Sequence, residues 1–262
     1  MTDVLVTGST GIGGAVASVL GERALTVGRS GRIRADLSLL SETARVADEV
    51  AARGTRLCAI VCCAGVLALR AAHTAEGLER AFVLNYLSRY LLVRRLLPLL
   101  EPGGRVVLVA NAGRYRDTLG PMDDLNLRRG GRGLRIAGRT QFANDLFAVE
   151  LAARAPSLSV SCVFPGPVAT DVIRNATGVP TGLRSLLDAV QRRIGAAPAD
   201  VAATPVALAS SAFASGFYGV GRSGPAPLPV PDRVRLGRRA ELWAASEALV
   251  RPWPASPGHV RP

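Results

Sequence analysis

A short apolar run, Val4–Thr7, passes straight into Thr7-Gly8-Ser9-Thr10-Gly11-Ile12-Gly13-Gly14, and this junction constrains the chain more than any other feature. Glycine is needed where a chain turns sharply off a strand and lets its backbone approach another group closely. The helical pattern that follows, Gly13–Leu20, puts free N–H groups and the positive end of a helix dipole at the turn. Such a strand–turn–helix unit suits a pyrophosphate. A glycine motif alone is weak evidence; its place directly after the first strand of a βαβ pattern gives it weight.

The rest of the chain repeats that rhythm. Val4–Thr7, Ala24–Val27, Leu57–Cys63, Arg105–Ala110 and Ser159–Phe164 read as strands, and Gly13–Leu20, Leu40–Arg53, Glu76–Leu100 and Gln141–Arg154 as helices. The strands are near-continuous apolar runs, as expected where both faces are covered. The fold class predicted is α/β: a Rossmann-type doubly wound parallel sheet with helices on both faces. Residues 1–250 read as one domain and 251–262, with four prolines, as a loose tail. Two further stretches read as exposed loops: 128–139, with five arginines among glycines, and 221–232, with four prolines.

Composition removes several function classes. The net charge is +12, yet the chain has no lysine, so its basicity is all arginine and reflects compositional bias as much as a partner. With aromatics at 5%, stacking positions for nucleic acid are scarce. Two histidines and four cysteines, three of them in one apolar run, give no zinc spacing, so no metal is expected. No window approaches the ~18 apolar residues of a membrane span. A glycine turn this close to Met1 leaves no room for a signal peptide. The expectation is a cytoplasmic protein with no membrane or nucleic-acid partner.

The second strand ends in Val27-Gly28-Arg29. An acidic residue there would accept from the ribose 2′-hydroxyl of NAD, whereas arginine suits a 2′-phosphate. NADP(H) is therefore favoured over NAD(H) if a nucleotide binds; an empty site and a merely solvated arginine are the other readings.

Taken in order, these motifs resemble the short-chain dehydrogenase/reductase superfamily, and most closely its retinol-dehydrogenase-like branch. Thr7–Gly13 resembles the opening signature, one residue short. Val61-Cys62-Cys63-Ala64-Gly65 is similar to the strand end written NNAG, with cysteine for both asparagines. The run from Thr74 through Asn85-Tyr86-Leu87 to Leu92 resembles the helix that carries the family's asparagine, and Arg105–Val109 the strand before its serine. Asp124–Leu127 and Phe142-Ala143-Asn144 flank the active segment in the usual order. Phe164-Pro165-Gly166-Pro167-Val168-Ala169-Thr170 resembles the turn beside the nicotinamide, and Ser215–Tyr218 and Leu242–Glu247 the C-terminal features. The resemblance implies cofactor contacts from Thr7, Gly8, Ser9, Thr10, Gly11, Ile12, Arg29, Asp36, Leu37, Cys63, Ala64, Gly65, Pro165, Gly166, Val168 and Thr170. Only six residues separate Arg29 from Asp36, where the branch has more, which trims the wall of the adenosine pocket.

The same resemblance implies a working group of Asn, Ser, Tyr and Lys, of which only the asparagine is present, as Asn85. Through Phe142-Ala143-Asn144, Ala137 falls at the tyrosine position and Gln141 at the lysine position; Asn111, or Ala110 with a one-residue slip, falls at the serine. A positioned general acid is worth roughly 10²–10⁴ in rate, so ordinary carbonyl reduction loses its usual support. Among the remaining phenols, Tyr86 and Tyr90 read as packing residues, and Tyr115 as the one that could replace the missing acid; His73 reads as a solvated cap residue. Three functions follow. The first is non-redox chemistry on a small molecule, such as cyclisation, dehydration or isomerisation in small-molecule biosynthesis. The second is an NADP(H)-dependent oxidoreductase with a rewired proton donor, and the third a non-catalytic nucleotide-binding partner or sensor. The arginine-rich stretch at 128–139 suits an acidic or carrier-bound substrate, against a plain solvated loop. The family habit implies a homodimer or homotetramer.

Overall fold

A computed structural model describes residues 3–254. β1 (Asp3–Thr7), α1 (Gly11–Leu20), β2 (Ala24–Gly28), β3 (Ile33–Arg34), α2 (Leu40–Ala52) and β4 (Leu57–Cys62) form the first half of the sheet and its cover. α3 (Arg80–Phe82) runs through a π-helical turn, Val83–Leu87, into α4 (Ser88–Leu96). β5 (Leu100–Val109), α5 (Leu134–Arg154), β6 (Ser159–Phe164), α6 (Thr181–Ile194) and α7 (Pro198–Ser210) follow. β7 (Gly216–Gly221), β8 (Gly224–Leu228), α8 (Asp232–Arg235) and α9 (Arg239–Val250) complete the described chain.

The eight strands make one sheet in the order β3-β2-β1-β4-β5-β6-β7-β8, parallel except for β8. Strand order reverses beside β1, so the C-terminal ends of β1 and β4 open a crevice of the kind in which doubly wound sheets hold ligands. Alternate side chains of each strand serve opposite faces. Val4 and Val6 join Val61 in the layer that includes Val16 of α1 and Ala202 of α7. Leu5 and Ile60 join Val46 of α2, Leu92 of α4 and Leu146 of α5 on the other side.

Several sequence expectations are corrected here. The helix expected from 76 begins at Arg80, because the buried Glu79 carboxylate accepts from the N–H groups of Ala81 and Phe82 and so caps it. Its end is a 3₁₀ turn, Leu97–Leu99, and β5 already starts at Leu100. The stretch 128–139 is not all loop: α5 starts at Leu134, and Arg139 is buried, donating to the carbonyls of Leu119 and Leu125. The stretch 221–232 contains β8, an antiparallel edge strand whose Pro225 and Pro227 lie opposite Val220 and Tyr218 of β7; prolines are tolerated on edges. Of the expected tail, Trp253 packs against the core, and residues 255–262 lie outside the described residues.

Candidate active site

The glycine turn is built by close approach. Gly8 has a φ of +89°, donates its N–H to the Val27 carbonyl at 2.8 Å, and lies so near Ala64 that a Cβ would sit 3.1 Å from the Ala64 nitrogen. A Cβ on Gly13 would fall 2.0 Å from the Gly8 carbonyl oxygen. Thr7 ties the strands together, accepting from Cys63 N–H at its carbonyl and from Ala64 N–H at its hydroxyl. Thr10 caps α1 with its backbone only, which leaves the first N–H groups of the helix for another acceptor. Thr170 reaches over the same turn, its methyl 3.2 Å from the space a Gly11 Cβ would take. Val168, two residues before it, is buried, and Gly166 has a φ of +75°. Backbone, spacing and open N–H groups thus fit a dinucleotide pyrophosphate.

At the end of β2, where the sequence places the adenosine, Ser9 and Ser30 share a 2.7 Å hydroxyl hydrogen bond, and Arg29 is exposed beside them. Asp36 accepts from the Ser38 N–H and hydroxyl at 2.9 and 2.7 Å. Burial raises the Asp36 pKa, but the Ser38 bonds, with Arg80 and Arg29 nearby, outweigh it and hold the carboxyl below its ordinary value. Leu37 is in the core. The short link expected between Arg29 and Asp36 makes the edge strand β3, so the wall on this side is main chain instead of a further helix.

Across the crevice from the glycine turn, Asn85 lies in the π turn of the α3–α4 helix, a distortion common at functional sites. Its Oδ1 accepts from Val66 N–H at 2.8 Å, and its Nδ2 donates to the Val66 carbonyl and the Thr140 hydroxyl. Its own carbonyl accepts from Asn144 Nδ2 at 2.9 Å. Asn85 therefore braces the exit of β4 against α5. Ala110 belongs to the core, which leaves Asn111 as the first side chain outside it beyond β5 and favours Asn111 over the slipped register. Ala137 is buried in α5, and one turn on, Gln141 holds its Oε1 buried with no hydrogen-bond partner. The Thr118 hydroxyl is in the same state. Tyr115 packs across this part of α5: a Cβ on Gly138 would lie 3.1 Å from Tyr115 Cδ1 and 3.0 Å from Thr118 Oγ1. Two buried polar atoms without partners, Gln141 Oε1 and Thr118 Oγ1, fit a polar group of a ligand here.

Three further residues support this floor. Arg89, one helical turn beyond Asn85, is buried and donates to the carbonyls of Ala64 and Val109 and to Asn144 Oδ1 at 2.7, 2.9 and 3.1 Å. No carboxylate pairs with it among the described residues, so an uncompensated guanidinium underlies the crevice; burial lowers its pKa. Asp145 is buried below the 111–115 turn and accepts from Gly113 N–H at 2.9 Å and from Cys162 Sγ at 3.4 Å. Arg139 pins 119–125 from inside. For Arg89 and Asp145 only the i+4 spacing of Arg89 from Asn85 could have drawn attention, whereas Arg139 stands in the arginine-rich stretch that reads as a loop.

Other expectations sort simply. Tyr86 and Tyr90 are buried and bond to Ser246 and Glu247, which makes them packing residues. His73 is exposed, its Nε2 2.9 Å from the Asn126 carbonyl. Burial pushes the thiols of Cys62 and Cys63 up to about 11 and about 12, so neither is a ready nucleophile. No cluster of metal-ligating side chains occurs among the described residues, and none of their helices is long and apolar enough to cross a membrane.

A parallel sheet with a phosphate-suited turn at its switch point defines a nucleotide-binding α/β protein, and comparison with known proteins narrows that class. No family model matches the chain. Human retinol dehydrogenase 14 is 29% identical over 222 residues, 82% of this chain, which spans 65% of that protein's length. A Streptomyces sp. (strain C5) protein described as a daunorubicin C-13 ketoreductase is 28% identical over 94% of this chain and 92% of its own. The fold is that of the 3-alpha-hydroxysteroid dehydrogenase from Pseudomonas sp. B-0831, solved with NADH: TM-score 0.66, 22% identity, 84% of this chain and 96% of that one. The chain belongs to the short-chain dehydrogenase/reductase superfamily, in its retinol-dehydrogenase-like branch. Membership implies a nicotinamide cofactor.

Proposed function

We propose that the chain is an NADP(H)-dependent oxidoreductase acting on an apolar alcohol or carbonyl, with Tyr115 as the proton donor. The observation that carries this reading is the Tyr115 ring lying against Gly138, beside Ala137 where the family's tyrosine would stand. The names of the relatives support redox chemistry over the non-redox reading, which rested on the empty Ala137 and Gln141 positions. They also favour a bulky apolar substrate, since one is named for retinol and another for the C-13 ketone of daunorubicin.

A bound nicotinamide would supply or accept the hydride. The protein's own task is then to meet the charge on the substrate oxygen as it becomes an alkoxide. The Asn111 amide is a neutral donor at that place. The Tyr115 hydroxyl, which makes no hydrogen bond to another described residue, can give its proton and recover one from solvent, because the residue is half-exposed. The buried Arg89 guanidinium favours negative charge above it.

Oxidation of NADPH over a panel of aldehydes and ketones tests the reading. Tyr115→Phe is expected to lower kcat by about 10²–10⁴ with the thermal midpoint unchanged. Turnover untouched by that change, or no turnover with any carbonyl, would return the non-redox reading to first place.

Arg29 supports the choice of NADP(H). Its guanidinium is exposed and next to Ser30, in position to pair with a 2′-phosphate. NADPH is expected to bind about ten- to a hundredfold more tightly than NADH, as one charge-assisted contact of ~1.5–3 kcal/mol provides, and Arg29→Ala should erase the difference. Fluorescence titration of both nucleotides reads this directly; equal affinities in the unaltered protein would remove the case for NADP(H).

A further inference from the structure

The turn that leaves β5, with Asn111 at its start and Tyr115 at its end, holds a backbone that few sequences adopt unaided. Ala112 has a φ of +40° and Gly113 one of +81°, so two successive residues are left-handed, and the first of them carries a side chain. Such a conformation persists only where its surroundings over-determine it. Two grips do so from opposite sides. From below, the Asp145 carboxyl accepts the Gly113 N–H at 2.9 Å. From above, Arg233 of α8 forks over the main chain: its Nη2 donates to the Gly113 carbonyl, and its Nε donates to the Tyr115 carbonyl at 2.9 Å. Among the described residues no other donor reaches either carbonyl.

α8 gives that fork a fixed base. The helix is only four residues long, yet Val234 is fully buried in the core, and the N–H groups of Val234 and Arg235 bond to the Pro231 carbonyl. Pro231 also abuts the turn, since a Cβ on Gly113 would lie 2.8 Å from Pro231 Cδ and 3.3 Å from Phe217 Cδ2. The turn is therefore blocked from moving towards α8, and Arg233 keeps it from lifting away. Arg114, between the two gripped carbonyls, lays its own guanidinium over the Phe164 ring, 4.1 Å from the centroid. A planar guanidinium suits this task, because its donors are fixed relative to one another and can register two acceptors at once.

We propose that Arg233 is a positioning residue for the reaction: by holding the main chain on both sides of Arg114, it keeps the Tyr115 phenol against Gly138, where the substrate oxygen takes its proton. The inference rests on the assignment of Tyr115 as proton donor. Arg233 acts through the turn and hands over no proton itself. The donor's geometry is thereby set from the far end of the chain, 118 residues beyond Tyr115.

Kinetics of Arg233→Ala, Arg233→Lys, Tyr115→Phe and the Arg233→Ala/Tyr115→Phe double variant, with hydrogen exchange of each, test the inference. Arg233 is exposed, so its variants are expected to fold. Arg233→Ala should lower kcat by about ten- to a hundredfold, as a misplaced catalytic group does, with KM within about twofold. Arg233→Lys keeps the charge but not the fork and should recover little of that loss. The double variant should be no slower than Tyr115→Phe alone, because two residues that act as one unit do not add. Amides at 111–119 should exchange about tenfold faster in Arg233→Ala, with those at 142–151 unchanged. A normal kcat in Arg233→Ala, full recovery with lysine, losses that multiply in the double variant, or unchanged exchange at 111–119 each overturns the inference while Tyr115 remains the donor. A Tyr115→Phe variant with full activity removes the donor assignment first, and the positioning role falls with it.

Discussion

Asp145→Asn is expected to stabilise the protein by a few kcal/mol above pH 7 and to leave it nearly unchanged at pH 4. Burial in α5, opposed by the Gly113 N–H, the Cys162 thiol and the charge of Arg233, pushes the Asp145 carboxyl from 3.8 up to about 7. A group whose folded value is raised holds its proton more tightly in the native state. Its contribution is therefore present below about 4 and is lost as pH rises towards about 7, after which the ionised form is carried at a cost of about 4 kcal/mol. Asparagine offers the same acceptor to Gly113 without titrating. Urea unfolding measured from pH 4 to pH 8 should show the two proteins diverging through that window, with the natural chain falling away. Parallel curves would mean that the carboxyl reaches solvent and the turn at 111–115 is looser than described.

Gly13→Ala should have the second large effect, on folding and nucleotide binding together. The added methyl would meet main-chain atoms, the Gly8 oxygen at 2.0 Å and the Gly8 carbon at 2.8 Å, which cannot rotate aside as a side chain could. Relief requires the turn to move off the helix, at a cost near the upper end of the ~1–3 kcal/mol typical of overpacking. In a chain of 262 residues that is a fall in thermal midpoint of about 6–12 °C. Gly182→Ala is the matched control: nothing lies within 4 Å of its Cβ position, so its effect should stay within about 0.5 kcal/mol. Normal NADPH affinity in Gly13→Ala would place the phosphate contacts elsewhere.

How much of this was legible in the sequence depended on the range of the forces involved. β6 is legible to the residue, because Ser159–Phe164 is a largely apolar, β-prone run bounded by breakers. The glycine turn was equally plain, since its cause is local backbone geometry. The sequence pattern starts α5 seven residues late, at Gln141, because Leu134–Thr140 has no apolar periodicity; Arg139 is helical and buried there because the carbonyls of Leu119 and Leu125 receive it. β7 and β8 are rich in glycine and proline and hold together by pairing with each other, which no single window displays. In the site, Asn85 and the empty tetrad positions were visible as letters. The packing of Tyr115 on Gly138, 23 residues further along the chain, and the burial of Arg89 and Asp145 on helices were not. A charged residue on a helix looks the same in sequence whether it faces water or supports a floor.

The loops roofing the crevice have a property that ordinary connecting segments lack. Leu69 N–H donates to Thr177 O, Thr177 N–H to Leu67 O, Ala71 N–H to Gly131 O and Gly133 N–H to Leu69 O. Three excursions, from β4, from the segment before α5 and from β6, are woven into one small fabric. Every thread in it is main chain, so the side chains of Leu67, Arg70 or Arg132 can be exchanged without unpicking it. The shape of the enclosure is thereby inherited separately from the lining that selects what enters, and a lineage can try new substrates while keeping the same room.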